Sequence, residues 1–566
     1  MLAAKNIVIE LLSVVICGTA IGLLMALTAN GFVNIVVLAT DFRTSFPLLE
    51  FQFHNETYSL SSVFSLLTAA ILINVIRKIL DIKNWEGIAD SIYVAHRENP
   101  KIDTKKGLGS TLASLVVISG GGSVGQYGPL VHFGSTIGLF IKNFFKLKMS
   151  PDIFIGCGVA AAIAAGFNAP LAGILFAHEA ILRHFSLRAI APISIASFSA
   201  SAFGEYFFGN SPALFELSQQ VPPLNEVLPI LILLGPAFAI ITVCFMIALR
   251  TANNFAALNE RHKTFLPFIA ALICGSVGVF LPEILGLGSG AINDLIAGNI
   301  SLMKVSMLLM AKISMTALCI GFGLFGGIFS PALFIGVSAG SLAAGFFAAI
   351  GYPDLAQVII ISGMAAVAAS VIGAPITSVL IVLELTGSYE YGVAAMVAVI
   401  ISSLVTYRAF GLSFFDRQLL DRGIDMRQGR ESIALSQRLV TTCERMDFVK
   451  LAAGTTGRQA YQLMKDSGTV ESYVINETGE YVGKLDIFGA ISASENPVEQ
   501  FLLKEPTILM VDDSLQTAMA KTIEFVGESI PILSSDKKFL ECVVSEGSIF
   551  QAVIDVQNSV SKIGRA

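Results

Sequence analysis

The stretch SVGQYGPLVHFG (Ser123–Gly134) carries a Gly-x-x-x-Pro pattern inside an apolar run, and GIFSP (Gly327–Pro331) repeats that pattern 202 residues later. Proline suits the first turn of a helix, and glycine permits a sharp turn into it. A helix N-terminus presents free N–H groups and a partial positive charge, which bind an anion without Lys or Arg. Two such ends directed at one point predict a site for a small anion. Each pattern alone would also suit a kinked, packed helix.

A second pair of segments extends the repeat. GVAAAIAAGFNAP (Gly158–Pro170) and GMAAVAASVIGAP (Gly363–Pro375) share 6 of 13 residues at an offset of 205. In each copy a glutamate, Glu179 or Glu384, follows nine residues after the proline. Carboxylates in apolar helices are functional candidates. Their matching positions instead favour a structural role, such as capping backbone N–H groups.

The composition places most of the chain in a membrane. Of 566 residues, 54% are hydrophobic and 14% are charged, whereas soluble domains carry about 25% charged residues. Gly and Pro interrupt many apolar stretches, and such breaks must face protein or a water-filled site. We predict an all-α polytopic membrane domain over residues 1–430. It is built of two related halves, about 60–210 and 265–415, and inverted topology is common in transporters with such repeats.

The last 136 residues differ in composition and predict a separate domain. Residues 431–566 contain 19 acidic and 12 basic residues and alternate β-like with helical patterns. We predict an α+β domain with two similar units, about 445–495 and 503–558. Basic residues cluster between the second and third apolar stretches and after the last one, so both places are expected in the cytoplasm. The expected location is the plasma (inner) membrane with the C-terminal domain inside.

Several classes of function find no support in the sequence. The seven Cys and six His are scattered without metal-ligand spacing, so neither a metal site nor a disulfide framework is expected. No nucleophile–base set is apparent, and we expect no enzyme activity. The net charge of −6 gives no indication of nucleic-acid binding.

Five ordered motifs resemble those of the CLC family of chloride channels and chloride/proton antiporters. They are SVGQYGPLVHFG (Ser123–Gly134), FNAPLAGILFAHE (Phe167–Glu179), GIFSPALFIG (Gly327–Gly336), GAPITSVLIVLELTG (Gly373–Gly387) and LSFFDRQLLDRG (Leu412–Gly423). The C-terminal domain resembles the CBS-domain pair of many members. The resemblance implies a homodimer in the lipid bilayer with one pathway for small anions, most simply chloride, in each subunit. It implies no required cofactor, although a CBS pair is a candidate site for an adenine nucleotide.

The resemblance also implies which residues form the anion site. Backbone N–H groups of Ile328 and Phe329 would bind the central anion. The family's external gating glutamate falls on Tyr127, its central serine near Glu86 and its central tyrosine on Phe415. The implied anion-binding residues are Glu86, Gly87, Ile88, Gly125, Gln126, Tyr127, Gly128, Pro129, Gly327, Ile328, Phe329, Ser330, Pro331 and Phe415.

The departures from the family pattern weaken the case for proton coupling. A tyrosine hydroxyl titrates near pH 10, so Tyr127 cannot replace a carboxylate that carries protons near neutrality. The family's internal proton-transfer glutamate falls on Ala180, next to Glu179. We therefore expect passive conduction, with Tyr127 as the gate. Two alternatives stay open, a chloride/proton antiporter with a nonstandard carboxylate and a transport-inactive sensor that signals through the C-terminal domain.

Glu86 and Glu179 are the candidates for a proton pathway in the antiporter alternative. The carboxylate of Glu86 would repel a neighbouring anion unless it is protonated. Its side chain could instead turn toward the cytoplasmic vestibule, or the alignment could be out of register at this point.

Overall fold

Helices of very different lengths follow one another up to residue 423. The computed structural model describes residues 2–53, 56–97, 100–147, 149–209, 222–259 and 262–565. The helices of this unit are α1 (Leu2–Ser45), α2 (Ser61–Ile79), α3 (Ile88–Ala95), α4 (Thr104–Ser119), α5 (Tyr127–Phe144), α6 (Pro151–Phe167), α7 (Pro170–Phe176), α8 (Leu187–Phe208), α9 (Leu224–Leu258), α10 (Leu266–Phe280), α11 (Ser289–Ile296), α12 (Leu302–Gly321), α13 (Phe329–Ala349), α14 (Ala356–Ile372), α15 (Pro375–Thr386), α16 (Tyr389–Phe410) and α17 (Phe414–Leu420). An antiparallel hairpin, β1 (Glu50–Phe53) and β2 (Glu56–Ser59), joins α1 to α2.

Within the described ranges, eight segments are helical, long and apolar enough to cross a membrane. They are Leu12–Ser45, Ser61–Ile79, Leu187–Phe208, Leu224–Leu258, Leu302–Gly321, Phe329–Ala349, Pro353–Ile372 and Tyr389–Leu420. Shorter apolar helices lie between them, so the predicted polytopic, mostly helical membrane domain is confirmed.

The two halves break their helices in the same way. Helix α6 ends at Asn168 and α14 at Gly373, both in the left-handed conformation, with φ of 51° and 77°. Two residues later Pro170 and Pro375 begin α7 and α15. Glycine and asparagine tolerate this conformation, and proline suits the first helical position. The repeated Asn/Gly-Ala-Pro pattern therefore dictates a sharp turn between two helices in each half.

The second compact unit begins at residue 424 and has a mixed α+β fold. The sequence-based boundary at 430 lies inside the first helix of this unit. Its elements are α18 (Gly429–Gln437), β3 (Arg445–Met446), β4 (Val449–Ala452), α19 (Gly457–Ser467), β5 (Glu471–Ile475), β6 (Tyr481–Asp486), α20 (Ile487–Ala493), β7 (Leu509–Met510), α21 (Leu515–Thr522), β8 (Ile530–Leu533), β9 (Leu540–Val544) and α22 (Glu546–Arg565). The α+β prediction for this region is confirmed.

Two similar β-α-β-β-α units form the C-terminal fold, and a segment that precedes the first unit joins the second one. One sheet has the order β4-β5-β6, and the other has the order β3-β9-β8-β7. Strand β3 pairs with β9 although it precedes the first unit in sequence. Buried Ala434, Leu435, Val440 and Cys443 also belong to the core of the second unit. The first residues of the C-terminal unit thus complete its last sheet and core.

Candidate anion-binding site

Gly125 and Gly327 join the two halves of the membrane unit by a short antiparallel bridge. The N–H of Gly125 donates to the carbonyl of Gly327 at 2.7 Å, and the N–H of Gly327 donates back at 2.6 Å. Two residues after each glycine a helix begins, α5 at Tyr127 and α13 at Phe329. Because the two segments run antiparallel at the bridge, the bridge brings the N-termini of both helices to one place. The sequence-based prediction that the two Gly-x-x-x-Pro segments meet agrees with this arrangement.

Only glycine fits at the contact between the two helix ends. A β-carbon on Gly128 would lie 2.9 Å from the α-carbon of Gly327, and one on Gly327 would lie 2.6 Å from the nitrogen of Gly128. Such contacts with backbone atoms would force the two helices apart. A β-carbon on Gly125 would lie 2.8 Å from Ser330 Oγ. The glycines of the two motifs therefore serve the close approach of the helix ends.

Several polar groups at the bridge lack a hydrogen-bond partner among the described residues. Neither helix has a side-chain cap at its N-terminus, where the N-cap residues are Gln126 and Ile328. Gln126 Oε1 and Ser330 Oγ are buried and accept or donate no hydrogen bond. Buried polar groups are normally paired, and uncapped N-termini attract anions. The bridge thus has the chemistry of a small-anion site, with Pro129 and Pro331 in the first turns of its helices.

Tyr127 belongs to a buried aromatic cluster beside the Gly125–Gly327 bridge. Its ring stacks on Phe167 with centroids 3.8 Å apart and meets Phe329 edge-on at 5.5 Å. Its hydroxyl donates to the carbonyl of Gly166 at 3.1 Å. The hydroxyl is therefore committed to the backbone in this conformation. An anion would require the ring to turn away before the hydroxyl could bind it.

Glu86 lies in a charged cluster before helix α3. Its carboxylate is 2.9 Å from Lys106 Nζ and 3.4 Å from His132 Nε2, and Nδ1 of the same histidine is bonded to Ser91 Oγ. Burial raises the pKa of the Glu86 carboxyl, but the imidazole of His132 and the ammonium of Lys106 lower it by more, so the pKa lies below its usual value. Glu86 is therefore an ionised, ion-paired carboxylate at neutral pH.

The N-terminus of α3 is capped by a side chain of the same helix. Gly87 N donates to Asp90 Oδ2 at 2.8 Å, and Asp90 Oδ1 is 2.7 Å from Arg422 Nη1. The N–H of Gly87 is thus committed, while Ile88 is buried in the first turn. Phe415 is buried on α17, which packs against α3, and its ring lies 6.0 Å from that of Phe414.

Glu179 and Glu384 each cap the N-terminus of a helix in the opposite half of the membrane unit. Glu179 accepts hydrogen bonds from the backbone N–H groups of Ile376 and Thr377 at the start of α15. Glu384 accepts from those of Leu171 and Ala172 at the start of α7. The matching positions of these glutamates signalled such a structural role. Both carboxylates are therefore engaged by backbone donors, and neighbouring Ala180 is buried.

Comparison with known proteins places the chain in a family. A family model described as voltage gated chloride channel matches residues 68–407, more than half of the chain. The chain belongs to this CLC family. The resemblance noted in the sequence is thereby confirmed, and CLC membership makes the chain a member of a family of membrane anion-transport proteins.

Relatives and solved structures agree with CLC membership. The H(+)/Cl(−) exchange transporter ClcA of Vibrio vulnificus (strain YJ016) is 31% identical over 312 residues, which cover 53% of this chain and 66% of ClcA, just under two thirds. The structure of a slow cyanobacterial Cl−/H+ antiporter has a TM-score of 0.64 at 21% identity and covers 72% of this chain and 97% of its own. A eukaryotic CLC transporter has a TM-score of 0.62 at 17% identity and covers 96% and 98%. The shared fold thus extends through the C-terminal unit.

CLC membership also fixes the orientation of the chain. The C-terminal unit lies in the cytoplasm, as the basic residues predicted. The ion pair between Asp90 and Arg422 links the start of α3 to the residues directly before that unit. The α2–α3 segment, which includes Glu86, therefore faces the cytoplasm as well.

Proposed function

We propose that the protein transports small inorganic anions, chloride first, across the membrane without coupling to protons. The observation that supports transport is the Gly125–Gly327 bridge, which joins two uncapped helix N-termini at one buried place. Such a site holds an anion by partial charges alone, so release does not require breaking a full ion pair. The central ligands in this proposal are the N–H groups of Ile328 and Phe329.

The proposal of uncoupled transport rests on two residues. By the CLC resemblance, Tyr127 falls at the position of the outer gate and Ala180 at that of the internal acid, and neither residue carries a carboxylate. Glu179 itself is engaged by the N-terminus of α15. Hence neither end of the pathway offers a free proton carrier among these residues.

Proton-coupled exchange is the second candidate, and one contact favours it. Glu86 and His132 lie 3.4 Å apart, and His132 Nε2 is buried without a hydrogen bond. A carboxylate next to an imidazole can pass a proton between them, so this pair could carry protons where the chain lacks the usual acids. The relatives named as H(+)/Cl(−) exchangers add weight to this alternative.

The wider assembly is part of the same proposal. We propose a homodimer in which each subunit holds its own pathway. We also propose that the two β-α-β-β-α units are a CBS-domain pair, with an adenine nucleotide as its candidate ligand. The Oδ1 atom of Asp486 accepts a hydrogen bond from the N–H of Gly489 at 2.7 Å at the start of α20. Calorimetry with ATP and AMP tests nucleotide binding to the full chain.

The deciding experiment measures anion and proton movement together. The purified chain is reconstituted in chloride-loaded liposomes, and an electrode records chloride efflux while a second records external pH. Chloride efflux without proton movement supports the proposal. Proton movement in a fixed ratio to chloride supports exchange, and the Glu86→Gln variant then shows whether Glu86 carries the protons. Silence for chloride, fluoride and nitrate would favour a sensor that signals through the C-terminal unit.

A further inference from the structure

A cavity of about 880 Å³ lies between the end of α1, the start of α2 and the start of α12. Helix α2 is long enough to span the membrane, and its last turn, with Arg77 and Lys78, leads to the cytoplasmic α2–α3 segment. Its first residues, Ser61 and Ser62, line the cavity and therefore lie at the outer face. The volume suits a small organic group, and none of the lining residues belongs to the anion site.

Arg43, in the last turn of α1, brings an unused donor to this cavity. Its Nη1 atom is buried and has no hydrogen-bond partner among the described residues. The guanidinium lies against the backbone of Gly121, where a β-carbon would collide with Nη1. An arginine is always protonated, and buried polar groups are normally paired. This side of the cavity therefore calls for an acceptor, and an anionic one fits best.

Glu283 brings an unused acceptor to the same cavity. Its Oε1 atom pairs with Lys304 Nζ at 2.5 Å, whereas its buried Oε2 atom has no partner within the described ranges. Three carboxylates line the cavity, those of Asp41, Glu50 and Glu283, against the two cations Arg43 and Lys304. An anion alone would leave Oε2 unpaired, and a cation alone would leave Arg43 unpaired. A ligand that carries both charges satisfies both atoms.

The surroundings of the cavity favour a lipid as the source of such a ligand. Val37 and Phe280 line it and are 49% and 53% exposed, and nearby Phe42 on α1 is 67% exposed. Exposed apolar and aromatic side chains at the end of a spanning helix face the lipid at the membrane interface. A phosphate ester is a preferred partner of a guanidinium, and a primary ammonium can donate to a carboxylate.

We propose that this cavity binds the phosphoethanolamine headgroup of a lipid in the outer leaflet. The phosphate pairs with Arg43, and the ammonium donates to Glu283 Oε2. The acyl chains leave the cavity past Val37 and Phe280. Binding of the headgroup does not depend on anion transport, so its failure and the failure of the proposed function are distinguishable.

The test compares headgroups on the full chain in detergent. The apparent melting temperature is followed against the concentration of three dihexanoyl lipids, which carry phosphoethanolamine, phosphocholine or phosphoglycerol. We expect the half-saturating concentration to be at least about tenfold lower for phosphoethanolamine. The phosphocholine ammonium has no N–H to donate, and phosphoglycerol has no cation. Equal half-saturating concentrations for the three lipids would overturn the proposal.

Two variants assign the two ends of the headgroup. Arg43→Gln should weaken all three lipids alike, because each carries the phosphate. Glu283→Gln should abolish only the preference for phosphoethanolamine over phosphocholine, a change that general destabilisation would not produce. The matched controls are Arg408→Gln and Glu205→Gln, whose side chains are exposed and which should keep every half-saturating concentration within about twofold. An unchanged preference in Glu283→Gln would refute the site.

A further arm separates the lipid from a soluble ligand. Free O-phosphoethanolamine at the same concentrations should leave the melting temperature of the wild type unchanged, because it lacks the acyl chains. Equal stabilisation by the free compound would contradict the lipid as the source. If Arg43→Gln elutes as an aggregate in gel filtration, Arg43→Lys keeps the charge with fewer donors, and a smaller loss of affinity for all three lipids is expected. Wild-type affinity in Arg43→Lys and an unchanged preference in Glu283→Gln would together exclude the proposed contacts.

Discussion

In the proposed transport function, the ring of Tyr127 is the gate at the outer end of the pathway. The loss of its stacking on Phe167 and Phe329 removes about 0.5–1.5 kcal/mol of aromatic contact. We predict that Tyr127→Ala raises chloride efflux about two- to tenfold, because opening no longer requires this contact to break. Tyr127→Phe keeps the ring and loses only the bond to Gly166, so its efflux should stay close to that of the wild type. Equal efflux in Tyr127→Ala and wild type would remove Tyr127 from the gate.

A second prediction at the same residue concerns pH. The hydroxyl of Tyr127 stays neutral between about pH 5 and 7.5, so we expect wild-type efflux to change little across this range. Tyr127→Glu places a carboxylate beside the anion site, and efflux should then increase as acid neutralises it. Efflux at several pH values is compared for both proteins. Steep acid activation in the wild type would identify another carboxylate, Glu86 first, as the gate.

Glu86 gives a prediction for stability. Its pKa in the folded protein lies below its usual value, so its contribution to stability is complete above the usual value and is lost as pH falls through the folded pKa. The apparent melting temperature of Glu86→Gln should therefore lie below that of the wild type at pH 7, and the difference should shrink as the pH approaches 3. Exposed Glu205 supplies the matched Glu→Gln control. A difference that grows in acid would mean that Glu86 is held protonated.

At the scale of elements, the contact between α5 and α13 depends on the absence of side chains. A β-carbon on Gly128 would lie 2.9 Å from the α-carbon of Gly327, and such overpacking costs about 1–3 kcal/mol. We predict that Gly128→Ala lowers the melting temperature and suppresses efflux, because the two helix ends no longer converge. Gly31→Ala, also in a helix, meets no atom within 4 Å and should be neutral. Normal efflux from Gly128→Ala would disprove the importance of this contact.

A second feature at the scale of elements is the capping of α15 by Glu179 and of α7 by Glu384. Removal of a side-chain cap costs about 0.5–2 kcal/mol, and Glu179→Ala or Glu384→Ala would each uncap a helix of the other half. We expect both variants to lose stability by about this amount in denaturant titrations, without a change in proton movement. Glu205→Ala is the control on an exposed surface. A change of proton movement in Glu179→Ala alone would instead support its place in a proton pathway.

Part of this arrangement could be predicted from the sequence because it is local. The turns before Pro170 and Pro375 and the glycines beside Pro129 and Pro331 follow from backbone geometry that a short motif dictates. The same motifs recur at a fixed offset, which indicated two related halves. The capping role of Glu179 could be anticipated from symmetry, but its partners, 197 and 198 residues away, could not.

Other parts could not be predicted, since they depend on packing between segments distant in sequence. Nothing in the local sequence of Arg77 indicates that Trp85 lies under its guanidinium. The commitment of the Tyr127 hydroxyl to Gly166 likewise requires the end of α6 to lie beside the start of α5.

At the scale of the whole molecule, the C-terminal unit offers a test by truncation. The core of the second β-α-β-β-α unit includes Ala434, Leu435, Val440 and Cys443, which precede all strands of the C-terminal unit in sequence. We predict that a 424–566 fragment is soluble and folds cooperatively. A 445–566 fragment removes these buried side chains and should lose about 3 kcal/mol or more. Circular dichroism during thermal unfolding compares the two. Equal stability would show that the early segment contributes nothing to the core.

The exchange of caps between the halves also has a consequence for biosynthesis. The N–H of Leu171 donates to the carboxylate of Glu384, which lies 213 residues later in the chain. A ribosome adds about 5–20 residues per second, so α7 remains uncapped for about 10–40 s after it is made. During that time the first half, already in lipid, keeps a helix end whose donors must stay near water or a chaperoning surface. The first half can therefore reach its final fold only after the second half has been synthesised.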